Sequence, residues 1–160
     1  MPDEKALRKL VARMLDWEDA HAGFDAAVAG LAANLRGTTP PGLPYSPWQL
    51  LEHIRRTQAD ILEFCQAPSY REKEWPKEYW PAGAAPPTGK AWDESVSEVQ
   101  RDRKALADMM LDPKTDLMAP VPNGTGQTYL REVLVVADHT AYHVGELIVV
   151  RRLLGAWPNE

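Results

Sequence analysis

Four stretches of helical periodicity, separated by three breaks rich in proline and glycine, restrict this 160-residue chain to an all-α architecture. The first runs from about Glu4 to Leu35. In it Leu7, Leu10, Met14, Trp17, His21, Phe24, Val28, Leu31 and Leu35 follow one another at alternating three- and four-residue steps, the seam of a helix packed lengthwise against others. Gly37 and the Pro40-Pro41 pair stop it. The second opens on Ser46-Pro47-Trp48-Gln49: serine caps, proline suits the first turn, and glutamine completes a capping box. Leu50, Leu51, Ile54, Ile61 and Phe64 then line one side until Pro68. The third, about Ala91 to Leu111, sets Trp92, Val96, Val99, Leu106 and Met110 on one face, carries charge on the other and ends before Pro113. The fourth spans about Thr128 to Leu154, with Gly155 as its C-terminal cap. It is apolar nearly all round, which predicts the most buried helix of the set. Leu130 to Val136 is β-branched enough for a strand, but the helical spacing that continues from Val133 through Leu154 favours a helix. The expected fold is a four-helix bundle, with 1–160 as a single domain and no internal repeat.

Two connections differ in kind. Residues 36–46 are short and stiffened by Pro40, Pro41 and Pro44. Residues 67–91, between the second and third helices, hold Pro68, Pro76, Pro81, Pro86 and Pro87 together with Tyr70, Trp75, Tyr79 and Trp80. Disordered segments tend to lack aromatics, so this long connection is expected to pack on the bundle, as a crossover covering one side of the core or as a lid over a pocket.

Composition narrows the function classes. With 18 basic against 23 acidic residues the net charge is −5, and no basic stripe is available to displace counterions from nucleic acid or an anionic membrane. A single cysteine, Cys65, excludes an internal disulfide and a cysteine-based zinc finger. Apolar runs such as Val133 to Ala137 are shorter than a membrane span, and the polar start Met-Pro-Asp-Glu-Lys has no signal-peptide character. A soluble cytoplasmic protein is the expectation.

All four histidines fall inside helical patterns. His139 and His143, four apart in Asp138-His139-Thr140-Ala141-Tyr142-His143, share one helix face and can reach one cation at about 2.0–2.1 Å. Two histidines at this spacing also occur on many helices without a ligand, and a core histidine is ordinarily just hydrogen-bonded in place. His53 lies beside the apolar side of the second helix, and His21 occupies a seam position of the first, pointing inward. Burying several imidazoles without partners costs roughly 1–3 kcal/mol each, and a shared cation on neutral nitrogens removes much of that cost.

With His53 in Leu50-Leu51-Glu52-His53-Ile54, the His139/His143 pair, and the closing Leu153-Leu154-Gly155-Ala156-Trp157, the chain resembles the DinB/YfiT-like superfamily over nearly its whole length. That superfamily consists of four-helix bundles read as metalloenzymes, with one histidine on the second helix and a His-x-x-x-His pair on the last. The resemblance implies a divalent metal (zinc, nickel, iron or manganese) held by His53, His139 and His143. It also implies a small-molecule substrate, a low-molecular-weight thiol as cosubstrate in an S-transferase reaction, and compatibility with a homodimer. A metal-dependent hydrolase and a non-catalytic metal- or small-molecule-binding module are the alternatives. The substrate is expected in a pocket between the helix ends, partly covered by residues 67–91. His21 and the aromatic, proline-rich connection depart from the family pattern.

Other residues have two readings each. Glu146, three residues after His143, is a fourth ligand or a base, or a partner for Arg151 or Arg152. His21 is a further ligand, a proton carrier or a hydrogen-bonded core residue, with Asp25 one turn away to hold its second nitrogen. Asp138 is expected to orient another group rather than bind metal. Tyr129 and Tyr142 read as packing residues, and Cys65 as a small buried hydrophobe. Arg103 interrupts the apolar face of the third helix and signals a buried ion pair or an anionic substrate.

Overall fold

Periodicity and caps translate directly into elements over the last three helical stretches. A computed structural model describes residues 4–158. Among them are five α-helices and no strand: α1 (Glu4–Met14), α2 (Phe24–Val28), α3 (Pro47–Gln66), α4 (Ala91–Leu111) and α5 (Tyr129–Leu153), with a 3-10 turn at Ala33–Leu35. The Ser46 hydroxyl accepts from the Gln49 N–H while the Gln49 side chain accepts from the Ser46 N–H, so two orphan donors at the start of α3 are satisfied reciprocally. Thr128 caps α5 by accepting from the Arg131 N–H. At the other end of α5, Gly155 takes φ +66°. The Ala156 N–H then reaches the Arg151 carbonyl at 2.8 Å and the Gly155 N–H the Arg152 carbonyl at 3.0 Å, a Schellman closure that favours glycine at that position.

α3 packs against α4 and α5, α1 against α4 and α5, and α2 against α5. The apolar faces meet in two clusters stacked along the bundle. One contains Phe24, Leu31, Trp48, Leu50, Leu51, Ile54, Trp92, Val99, Val144 and Leu147. The other contains Val11, Leu15, Leu106, Met110, Leu117, Val133 and Val136. Two arginines are buried as ties rather than as charges for a ligand. Arg8 donates to the carbonyls of Met110, in the last turn of α4, and of Asp112 and Thr115 just beyond it, and Arg151 donates to those of Ala27 and Ala156.

The first helical stretch is not one helix. A continuous helix over Glu4 to Leu35 would be about 48 Å long, against roughly 30–38 Å for α3, α4 and α5, and its overhang would face no partner. α1 instead stops at Met14, where Asp16 turns to Arg103 and Arg13 pairs with Asp19 at 2.7 Å. The chain re-enters as α2, so that Phe24, Ala27, Val28 and Leu31 close over the first cluster. His21 consequently lies in the 15–23 link, exposed, and its Nδ1 meets the Ala22 carbonyl at 3.0 Å, away from the bundle interior expected for it.

α5 also departs from expectation. Its apolar surface exceeds what its neighbours cover, and Leu134, Tyr142, Val149 and Leu153 are exposed. By length and composition it is the one described helix apolar enough to cross a membrane, a test that the core helix of a water-facing protein also passes.

Candidate metal centre

His53 lies in the first half of α3 and His139 and His143 in the middle of α5, so the facing surfaces of these two helices, not their ends, bring the three rings together. One nitrogen of each lies within 4.8 Å of the others, an arrangement that could hold a metal ion. His53 Nε2 and His139 Nε2 are 3.1 Å apart. Two ligands at 2.0–2.1 Å on a tetrahedral cation stand about 3.3 Å apart, so this pair is already at coordination spacing. His53 and His143 are buried and His139 is half-buried.

The outward nitrogens decide where the lone pairs point. His53 Nδ1 faces the Tyr79 carbonyl at 3.1 Å, which can only accept, so Nδ1 carries the proton and Nε2 is left as an acceptor toward the cluster. His143 Nδ1 donates to the Glu146 carboxylate at 2.7 Å, which likewise leaves Nε2 free. Burial, above all, holds His53 below its ordinary titration range, and burial reinforced by its two neighbouring imidazoles pulls His139 down to about 3. Neutral imidazoles with inward lone pairs are the form that binds cations. Glu146 is thus placed as the orienting partner of His143, neither tied to Arg151 nor among the three clustered ligands.

Residues 67–91 form the cover of this site, packed down as expected. Trp80 lies flat on the His53 ring, centroids 3.9 Å apart and planes 8° from parallel, and Tyr45 stacks on the other side of the cover's tryptophan at 4.4 Å. The cover is tied to α3 at two levels. The Tyr79 and Tyr70 hydroxyls donate to the buried Asp60 carboxylate at 2.6 and 3.1 Å, and Lys73 reaches the same group at 2.6 Å. Arg56 donates to the Glu78 and Trp80 carbonyls. Arg56 is itself held by Glu52, whose burial alone would raise its pKa but whose contacts with Arg55, Ser95 and Arg56 keep it low. The roles of the Tyr79 carbonyl, Trp80 and Tyr45 were not legible in the sequence. The only signal was the aromatic content of the connection.

The remaining candidates lie elsewhere. His21 is outside the cluster and, with Trp17, Phe24, Leu134 and Asp138, lines a cleft of about 500 Å³ on the opposite side of α5 from His139 and His143. The 67–91 cover does not line that cleft. Asp25 is not a partner of His21. It accepts from Arg103 at 2.6 Å and Gln100 at 2.8 Å, and Arg103 sits also 2.9 Å from Asp16, which settles that arginine as an ion-pair residue. Tyr142, expected to pack, is exposed at the rim, edge-on to His143 at 4.9 Å, while Tyr129 packs against the second apolar cluster. Cys65 is buried, and the apolar surroundings push its thiol up to about 12, consistent with a packing role.

A family model described as the DinB superfamily matches residues 16–147, which include all three clustered histidines. Neither the comparison with curated proteins nor that with solved structures returned a match.

Proposed function

The chain belongs to the DinB superfamily, and from that premise we propose that it is a divalent-metal-dependent enzyme that acts on a small molecule, most simply by thiol transfer, through a centre formed by His53, His139 and His143. The observation that carries the reading is the pair of outer hydrogen bonds. His53 to the Tyr79 carbonyl and His143 to Glu146 each protonate the outer nitrogen and aim the inner lone pair at a common point. Core histidines that serve packing alone have no need of two lone pairs aimed at a third imidazole nitrogen 3.1 Å from one of them.

The donor set fits zinc, nickel, iron or manganese, all of which accept imidazole, and three protein nitrogens leave a position for an exogenous ligand. A bound cation there supplies Lewis acidity, lowering the pKa of a thiol or water that reaches it. The chain's own residues supply the rest. Trp80 and Tyr79 fix the His53 ring and keep water from its face, Glu146 stabilises positive character on His143, and Tyr142 and the 66%-exposed Trp75 flank the approach. The thiol follows from the family resemblance.

Thiol consumption measures the reading. Protein reconstituted with each of the four metals is incubated with 1-chloro-2,4-dinitrobenzene and glutathione, cysteine or 2-mercaptoethanol, beside His53→Ala. Metal-dependent conjugation lost in the variant is the expected result. Turnover of ester or amide substrates with no thiol present would favour hydrolysis, and no turnover with metal bound would favour a binding module.

A further inference from the structure

Next to the histidine cluster, α5 and residues 43–45 enclose an apolar cleft of about 280 Å³, lined chiefly by Leu43, Tyr45, Leu50, Gly145 and Val149, with Glu146 as its charged lining residue. Its walls are continuous with the supports of the histidines. Glu146 accepts from His143 at 2.7 Å, and Tyr45 stacks on Trp80, which in turn stacks on His53. Gly145 stands in the interior of α5, where glycine is a poor helix former. Neither packing nor backbone calls for it. A Cβ at this position would meet nothing within 4 Å, and Gly145 is not among the glycines with positive φ. What its missing side chain does is leave the cleft open.

We propose that this cleft receives an uncharged, apolar arm of the substrate, an inference that rests on the reading of the three histidines as a metal centre. An apolar cavity of roughly 150 Å³ holds a benzene molecule, so the cleft has room for a substituted ring or a branched alkyl chain. The Glu146 carboxylate disfavours an arm that carries its own carboxylate, because like charges at close quarters are costly. A molecule seated there has one end beside Glu146 and Tyr45, against the shell of the histidines, and the other against Val149.

The test uses n-alcohols and n-carboxylates as probes, with methyl NMR of Leu43, Leu50, Val149 and Val150 as the readout, on full-length protein with and without zinc. 1-Hexanol is expected to shift these methyls, with affinity rising twofold to fourfold per methylene from butanol to heptanol. Hexanoate is expected to bind at least tenfold more weakly. Gly145→Leu is expected to stay folded, take up zinc like the wild type and lose the alcohol response. Val149→Glu, at an exposed position of the same wall, is expected to weaken the alcohol and keep the fold. Alcohol shifts confined to Leu15, Leu134 and Val144, around the larger cleft across α5, would overturn the proposal, as would an unchanged response in Gly145→Leu. Zinc uptake with no alcohol binding sinks the cleft alone. No zinc uptake by the wild type sinks the metal reading and, with it, the assignment of the cleft to that centre.

Discussion

Trp80 and His53 stack at 3.9 Å with their planes 8° from parallel, which makes a residue of the long connection part of the wall of the histidine cluster. Removing that ring uncovers His53 and frees it to turn. Trp80→Ala is expected to cost about 2 kcal/mol of stability, less than a fully buried tryptophan because Trp80 is half-buried. It should also weaken zinc binding by roughly tenfold to a hundredfold, the usual effect of losing a ligand's support. Calorimetric titration reads the second effect separately from the first, and Trp80→Phe should recover most of it. Unchanged affinity in Trp80→Ala would show that the stack serves packing alone.

Glu146 is expected to act through His143. Glu146→Ala removes the acceptor for Nδ1 and should lower zinc affinity by about tenfold to a hundredfold. The helical circular dichroism should stay the same, since the half-buried Glu146 contributes little to the core. Glu146→Gln keeps an acceptor oxygen and should fall between the two. Equal affinities in all three proteins would remove Glu146 from the centre.

The sequence made three of the long helices legible because their ends carry chemistry of their own: a capping box at Ser46, Gly155 after α5 and a proline after α4. The first stretch has such punctuation too, Gly23 before α2 and Gly30 at φ +65° after it, but neither glycine interrupts the apolar stepping. Three-and-four stepping states that apolar residues share a face, not that neighbouring helices are long enough to cover it, so the pattern continues through 15–23 and predicts an inward His21. The same limit applies to α5: apolar residues all round predict burial, although its neighbours cover only part of its circumference. The His139/His143 pair is readable because its i,i+4 spacing survives in one dimension, whereas His53, and not His21, joins it through the family resemblance. The Tyr79 carbonyl that orients His53 is not readable, since a backbone oxygen leaves no mark in the sequence.

Asp60 is the latch of the cover. Two tyrosine hydroxyls and Lys73 converge on it, so Asp60→Ala leaves them without their shared acceptor and should cost about 1–3 kcal/mol. Hydrogen exchange should quicken in residues 70–80 and stay slow in α4, and zinc affinity should drop as the Tyr79 carbonyl loosens from His53. Exchange that quickens evenly over the whole chain would point to global destabilisation instead of a released cover.

The metal-free protein should lose stability in acid. His139 is held at about 3 in the folded state against an ordinary 6.5, chiefly by burial, and His53 is shifted in the same direction. Between those two values the unfolded chain binds the extra proton. Stability is therefore fully present above about pH 6.5 and is lost as pH falls toward 3. Carboxylates titrate in the lower part of that window, so the informative quantity is the difference from His139→Gln, whose melting temperature should fall less between pH 7 and 5. Parallel curves for the two proteins would contradict the shift.

The most direct measurement is the metal content of untagged protein purified without chelators and then reconstituted with zinc, nickel, iron or manganese, beside His53→Ala. The expected result is about one divalent ion per wild-type chain, lost in the variant while the helical signal persists, because one of the three clustered nitrogens is removed and the helix caps and core clusters are kept. Failure of the wild type to take up any of the four metals would contradict the three-histidine centre and leave the cluster as a hydrogen-bonded part of the core.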